Sequence, residues 1–270
     1  MRRSDALRMA ARTDTGRVRP HNEDAVFIDP ALGLAVLADG MGGYNAGEVA
    51  SSMAVARLAR NLVSRDGAGE PIHPHAGERA AVHTHVLGEI DDANAEIHLA
   101  ALADRELAGM GTTLVLAWFY DNRLAIAHLG DSRAYRLRGG RLERLTRDHS
   151  VLQDAIDSGM MHPDHARTAP NRGLITRALG PLPAVAPALG DYHVVRGDIY
   201  LLCSDGLTDM VHDDEIRGTL RIFGDDVEAA AAHLVEIAND AGGTDNISAI
   251  VVAVRGAYPV REGWWRQWLP

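Results

Sequence analysis

Four aspartates stand where apolar segments end or begin, each in the company of glycine. Asp39 follows the run 34–38 and leads into Gly40-Met41-Gly42-Gly43. Asp131 follows 124–130, Asp205 follows 199–204 and precedes Gly206, and Asp245 follows Gly242-Gly243-Thr244 and opens 246–253. A carboxylate at a strand mouth sits on a stiff support yet reaches solvent, and several that converge repel one another unless cations neutralise them. The glycines let backbone turn sharply or approach a bound ion closely. A lone Asp-Gly is usually a turn, but strand-end placement together with Arg19 and Asn22-Glu23-Asp24 makes this set read as a polynuclear Mg²⁺ or Mn²⁺ site for hydrolysis.

The elements that must position these groups follow from periodicity. Residues 9–38 read as two short strands around a turn, with 19–24 at the junction. Helices are expected at 44–64, with Val55, Leu58, Ala59 and Leu62 on one stripe, and at 78–103, with Val86, Ile90, Ala93, Ile97 and Ala101 on one face. The Gly- and Pro-rich stretch 66–77 between them is a loop. Segments 112–120 and 123–129 are joined by Asp121-Asn122, too short for a parallel crossover, so they pair antiparallel. Residues 134–137 turn through Gly139-Gly140 into 142–145. A short helix is expected near 151–158, an exposed segment at 162–173, strands at 191–196 and 198–203, and a last helix at 226–240. Grouped helices and hairpin-linked strands favour an α+β sandwich of antiparallel sheets over a doubly wound sheet. The stretch 256–270, with Trp264, Trp265 and Trp268, is set apart as a tail.

Composition narrows the function classes. The 270 residues carry a net charge of −10, which argues against a broad nucleic-acid footprint. All 27 basic residues are arginine, so lysine is unavailable as base, Schiff-base nucleophile or phosphate-loop cation. The single cysteine, Cys203, rules out an intramolecular disulfide and fits a reducing compartment. No secretory leader and no membrane-spanning run is expected, which points to the cytoplasm.

In order along the chain stand Arg19-x-x-Asn22-Glu23-Asp24, Ala38-Asp39-Gly40-Met41-Gly42-Gly43, Gly111-Thr112-Thr113, Gly130-Asp131-Ser132-Arg133, Ser204-Asp205-Gly206-Leu207 and Asp245-Asn246. These blocks resemble the metal-dependent Ser/Thr protein phosphatases of the PP2C (PPM) type in their compact bacterial form, over about 9–255. The resemblance implies a four-layer α-β-β-α sandwich of two antiparallel sheets flanked by helices, in a domain 1–255 followed by the tail. It implies two Mn²⁺ or Mg²⁺ ions, or three. Asp39 would bridge two of them, with the Gly40 carbonyl as a further ligand. Asp205 and Asp245 would complete the first ion's shell, Glu23 would reach the second through water, and Asp131 with Asp205 would hold the third. Asp24 is implied as an acceptor behind the ligands or a structural partner. Arg19 would grip the phosphoryl oxygens of a phosphoserine or phosphothreonine protein while a metal-activated water attacks phosphorus. A bacterial Ser/Thr kinase is the implied antagonist. Where eukaryotic relatives place a proton-donating histidine, this chain has Met41, so a water on the metals, or else His21 or His165, must supply the proton.

Other readings are weaker. Gly130-Asp-Ser132-Arg-Ala134 looks like a nucleophile elbow, but a hairpin rather than a helix follows it. Cys203 lacks the arginine six residues on that a tyrosine phosphatase needs; position 209 is Asp. Arg133 is read as a structural pairing residue, and His73, His75, His83 and His85 as solvated histidines in or beside a polar loop. A catalytically idle phosphoprotein-binding scaffold of the same fold, and a metallohydrolase of small phosphoesters, are the competing functions.

Overall fold

A computed structural model of the chain describes residues 3–43, 45–65, 70–71, 79–162, 165 and 173–258. Its strands are β1 (Leu7–Asp14), β2 (Asp24–Asp29), β3 (Leu34–Met41), β4 (Ser64–Arg65), β5 (Glu70–Pro71), β6 (Gly111–Thr112), β7 (Leu114–Tyr120), β8 (Arg123–Leu129), β9 (Arg133–Arg138), β10 (Arg141–Arg144), β11 (Ala188–His193), β12 (Ile199–Cys203) and β13 (Ile247–Val254). Its helices are α1 (Arg3–Ala6), α2 (Ala46–Val63), α3 (Arg79–Ala103), α4 (Val151–Asp157), α5 (Asp205–Thr208), α6 (Asp213–Phe223) and α7 (Val227–Asp240).

Two antiparallel sheets form the centre. One runs β1-β13-β12-β9-β10; the other runs β11-β8-β7-β3-β2, with β6 added at the end of β3. Period-two burial divides the apolar residues among three cores. Leu34, Val36 and Ala38 of β3 pack with Ala50, Ala54 and Leu58 of α2 and Val86, Ile90 and Ile97 of α3. The alternate residues Ala35 and Leu37 face the other sheet, against Tyr200, Leu202, Ile250 and Val252. On the far side, Ala249 and Val251 of β13 pack on Leu220 of α6 and on Ala231, Leu234 and Ala238 of α7. Each fully buried side chain of this size stabilises the fold by roughly 1.5–3 kcal/mol, so the sheets are held as one rigid block. The architecture is the α-β-β-α sandwich that the resemblance implies. Among the described residues, no helix is long and apolar enough to cross a membrane.

The differences from the periodicity reading have identifiable structural causes. Residues 9–38 hold parts of three strands rather than two, because the turn ending at Gly33, with φ +69°, closes a hairpin between β2 and β3, while β1 lies in the other sheet. β3 runs on through Asp39 to Met41, since β6 supplies a partner for its last two residues. Asp39 therefore lies inside a strand, not at its end. β11 begins at Ala188, three residues before the expected 191, because it follows the register of β8. Helices α5 and α6 were not anticipated. α6 carries legible signals: Asp213, Asp214 and Glu215 in its first turn, a capping box between His212 and Glu215, and Ile216 and Leu220 at i, i+4. Asp121 and Asn122 adopt φ +41° and +57°, the left-handed geometry of a tight hairpin turn. The histidines His73 and His75 and the tryptophans Trp264, Trp265 and Trp268 lie outside the described residues. His83 and His85 are not solvated loop residues. They lie on α3, His83 3.1 Å from Asp191 and His85 with its ring 6.1 Å from Trp118.

Candidate metal centre

The acidic residues come from both sheets and meet at one end of the sandwich. Asp24 and Asp39 are opposite each other in the β2–β3 register. Asp205 opens α5 directly after β12, and Asp245 lies two residues before β13, the strand paired with β12. Asp131 lies on the crossover from β8, in one sheet, to β9, in the other. Side-chain bonds stitch the two sheets together here. Ser204 Oγ donates to Asp24 Oδ2 at 2.9 Å, Glu23 N donates to Asn246 Oδ1 at 2.8 Å, and Asn22 Nδ2 donates to Thr13 Oγ1 at 2.7 Å.

The backbone of Asp39 is fixed from three sides. Its N–H donates to Thr113 Oγ1 at 3.0 Å, and its carbonyl accepts from Thr112 Oγ1 and Thr113 N, both at 2.9 Å. Thr113 Oγ1 is itself 2.7 Å from Ser132 Oγ, next to Asp131. Close backbone approach, rather than turn geometry, explains Gly40 and Gly206. A Cβ on Gly40 would lie 2.1 Å from Gly47 O and 2.6 Å from Glu23 O, and one on Gly206 would lie 2.0 Å from Asn246 O. The loops bearing Asp205 and Asp245 are thus pressed together.

The electrostatics are those of crowded carboxylates. Burial, then repulsion from Asp24, Asp205, Asp131 and Asp245, holds the Asp39 carboxyl well above its usual range. Burial, followed by Asp131, Asp245, Asp209 and Asp24, does the same to Asp205. Asp24 and Asp131 are each pushed up to about 6, chiefly by burial, and Glu23 is raised for the same first reason. Asp24 Oδ1 and Asp131 Oδ1 are buried with no hydrogen-bond partner. Leaving such an oxygen unsatisfied costs roughly 1–3 kcal/mol, and a cation removes that penalty and the mutual repulsion together. The donors are all hard oxygens, the set that suits Mg²⁺ or Mn²⁺. The residues present therefore fit the ions. Among the described residues, no three His, Cys, Asp or Glu side chains stand grouped closely enough to hold an ion as they are, and Arg19 engages one of the carboxylates.

Arg19 reaches the site from the loop between β1 and β2, where its Nη2 donates to Asp245 Oδ2 at 2.7 Å. Its side chain is 49% exposed, so the guanidinium stands at the rim. The loop is held by a residue to which sequence reasoning gave no role. Buried Asn246 donates from Nδ2 to the carbonyls of Thr15 and His21, at 2.9 and 2.8 Å, while its Oδ1 accepts from Glu23. Its adjacency to Asp245 in a matched block was the available signal. Met41 is half-buried at the end of β3. His21 is in the Arg19 loop, and exposed His165 stacks edge-on to His162 at 6.2 Å. Arg133 is structural, as expected, binding Asp148 through Nε and Nη2 at 2.7–3.1 Å. Gly130-Asp-Ser132 leads into the β9–β10 hairpin, and buried Cys203 has its thiol pushed up to about 12 by burial, so neither provides a nucleophile.

Comparison with known proteins bears directly on this arrangement. The family profile described as Protein phosphatase 2C matches residues 17–244. The serine/threonine protein phosphatase PstP of Mycobacterium tuberculosis is 40% identical over 92% of this chain, which spans 45% of that protein's length. The serine/threonine phosphatase stp of Listeria welshimeri is 37% identical over 89% of this chain and 93% of its own. A solved structure of the catalytic domain of PstP in complex with two manganese ions superposes with a TM-score of 0.79. It is 38% identical, and the match covers 92% of this chain and 98% of that one.

Proposed function

Since the chain belongs to the Protein phosphatase 2C family, we propose that it is a metal-dependent protein-serine/threonine phosphatase whose working residues are those gathered at the end of the sandwich. The observation that carries this reading is the convergence of Asp24, Asp39, Asp131, Asp205 and Asp245 from two sheets, with orphaned buried oxygens on Asp24 and Asp131 and Arg19 at the rim. We assign the activity to residues 1–255 and its substrates to cytoplasmic phosphoproteins, with a Ser/Thr kinase supplying them.

Asp39, Asp205 and Asp245, the Gly40 carbonyl, Glu23 and Asp131 would hold Mn²⁺ or Mg²⁺, two ions or three. When bound there, the ions would supply Lewis acidity to ready a water for attack on phosphorus and to neutralise charge on the phosphoryl oxygens. Thr112, Thr113 and Ser132 keep Asp39 in place, so little reorganisation is needed on binding. Ser204 holds Asp24 behind the ligands. Arg19 would exchange its bond to Asp245 for the phosphoryl group, its planar fork donating to two of the phosphoryl oxygens at once. Met41 carries no proton to give, so we assign the leaving alkoxide's proton to a water at the metals, with His21 and His165 as the alternative donors.

The test is hydrolysis of p-nitrophenyl phosphate and of phosphothreonine peptides, with and without Mn²⁺, by wild type and Asp39→Ala. Turnover that needs the metal and is lost in the variant is expected. Activity persisting in excess EDTA, or an unimpaired variant, rejects the mechanism; phosphopeptide binding without turnover identifies an idle scaffold instead.

A further inference from the structure

A groove of about 230 Å³ adjoins the metal end, lined by Met41, Ile175, Arg177, Ala178, Leu182 and Val185 among others. We propose that it is a substrate subsite, receiving an apolar side chain of the phosphoprotein within a few residues of the phosphorylated Ser or Thr. The proposal rests on the phosphatase reading above and adds a sequence preference to it.

Continuity with the metal centre is the first argument. Met41 is the last residue of β3, two positions beyond Asp39, so its side chain is shared between the groove wall and the edge of the metal end. A Cβ on Gly111 would lie 2.9 Å from the Met41 ε-methyl and 3.0 Å from both Leu179 O and Pro181 Cδ, so β3, β6 and the 179–181 segment close on one another there. A chain whose phosphoryl group lies over Asp39 has a neighbouring residue within reach of this wall.

The far wall is preformed. Asn94 of α3, 1% exposed, spends its amide on it: Nδ2 donates to Leu182 O at 3.0 Å, and Oδ1 accepts from Gly180 N at 2.8 Å. His98 Nδ1 lies 2.8 Å from Gly180 O. On this fixed backbone Leu182 holds out a side chain that is 62% exposed and adds little to the core. A rigid backbone presenting an exposed leucine beside a hydrolytic centre is suited to binding.

Size and charge choose the occupant. The groove is smaller than the ~300–1,000 Å³ of pockets for drug-sized ligands, so it takes a side chain rather than a whole small molecule. Its lining is mainly aliphatic and alanine, which favours Leu, Met or Val over a polar residue. Exposed Arg177, whose Nη1 donates to Ala186 O at 3.3 Å, adds a positive rim that suits a phosphorylated segment.

The experiment uses phosphothreonine peptides that carry Leu or Ser at each of the three positions on either side, assayed with Mn²⁺. Each kcat/KM is divided by the same enzyme's value for p-nitrophenyl phosphate, which is too small to reach the groove. Wild type should prefer Leu about tenfold at one position, and Leu182→Asp and Ala184→Trp, both at exposed sites, should reduce that preference below about twofold. Equal rates on all peptides, or a preference that survives in both variants, overturns the subsite alone. No hydrolysis of any substrate overturns the phosphatase reading and the subsite with it.

Discussion

At Arg19 and Asp131 the same carboxylate crowding has opposite consequences for catalysis and for stability. Arg19 is bonded to Asp245, a residue proposed to hold metal, so it has two employers. A charge-assisted hydrogen bond is worth roughly 1.5–3 kcal/mol, so Arg19→Ala should raise KM for a phosphopeptide about tenfold or more. Its apparent Mn²⁺ affinity should hold or tighten, because Asp245 is released. An unchanged KM removes Arg19 from the phosphate site. Asp131, 8% exposed, has its carboxyl pushed up to about 6. A carboxyl whose folded pKa exceeds its unfolded one stabilises the fold fully below the unfolded value, near 4, and loses that contribution as pH rises through about 6. Without metal the charged group is therefore a burden at neutral pH, on the order of 2–3 kcal/mol. Asp131→Asn should raise Tm in EDTA at pH 7.5, with the gain shrinking toward pH 5, and should weaken the stabilisation by Mn²⁺. A lower Tm for the variant in EDTA contradicts this account.

Among the elements, the strand pair β12–β13 shows how backbone contact sets the site. Gly206, the second residue of α5, lies hard against the carbonyl of Asn246, with no room for a methyl group at 2.0 Å. Gly206→Ala must push β13's entry away from α5 and separate Asp205 from Asp245. Overpacking of this kind typically costs about 1–3 kcal/mol, and the expected outcome is a lower Tm together with weaker Mn²⁺ binding by calorimetry. A variant that loses stability yet binds Mn²⁺ normally shows that the contact is only structural. The Asp-Gly pairing was legible in the sequence. Its reason was not, because a close approach between residues 206 and 246 cannot be read from either segment alone. The same holds for β3, whose extension through Asp39 depends on a partner strand that begins at Gly111. α6, by contrast, was legible through its acidic first turn and its i, i+4 apolar pair, and its absence from the periodicity reading reflects a signal passed over.

Across the whole molecule, a buried histidine pair ties one sheet to the segment that returns toward the groove. His128 and His149 stack with centroids 4.7 Å apart and planes within 9°. His128 Nε2 is 2.8 Å from Arg147 O, and His149 O accepts from Thr176 N at 2.8 Å. Burial, then His128 and the nearby Arg177 and Arg147, pushes His149 down to about 4, against the opposing pull of Asp148. A base whose folded pKa is depressed keeps its full contribution above the unfolded value, near 6.5, and loses it as pH falls toward 4, by at most about 3 kcal/mol. His149→Gln in EDTA should therefore show a smaller fall in Tm between pH 7 and pH 4.5 than wild type does. Parallel curves for the two proteins remove His149 as the cause.

What the chain's order of residues decided by itself was local: alternation that makes strands, i, i+4 stripes that make helices, two-residue links that force hairpins, and the Asp-Gly blocks that mark candidate ligands. Those signals act through neighbours a few positions apart, where sterics and hydrogen bonding need no distant partner. Packing decided how the hairpins and single strands assemble into two sheets, and it alone brought Arg19 onto Asp245 across 226 positions. It also set Asp24 opposite Asp39 and raised the groove beside Met41. The physical reason is that both sheets must bury their facing apolar residues in one shared core, and only that burial brings the carboxylates at their ends into one field.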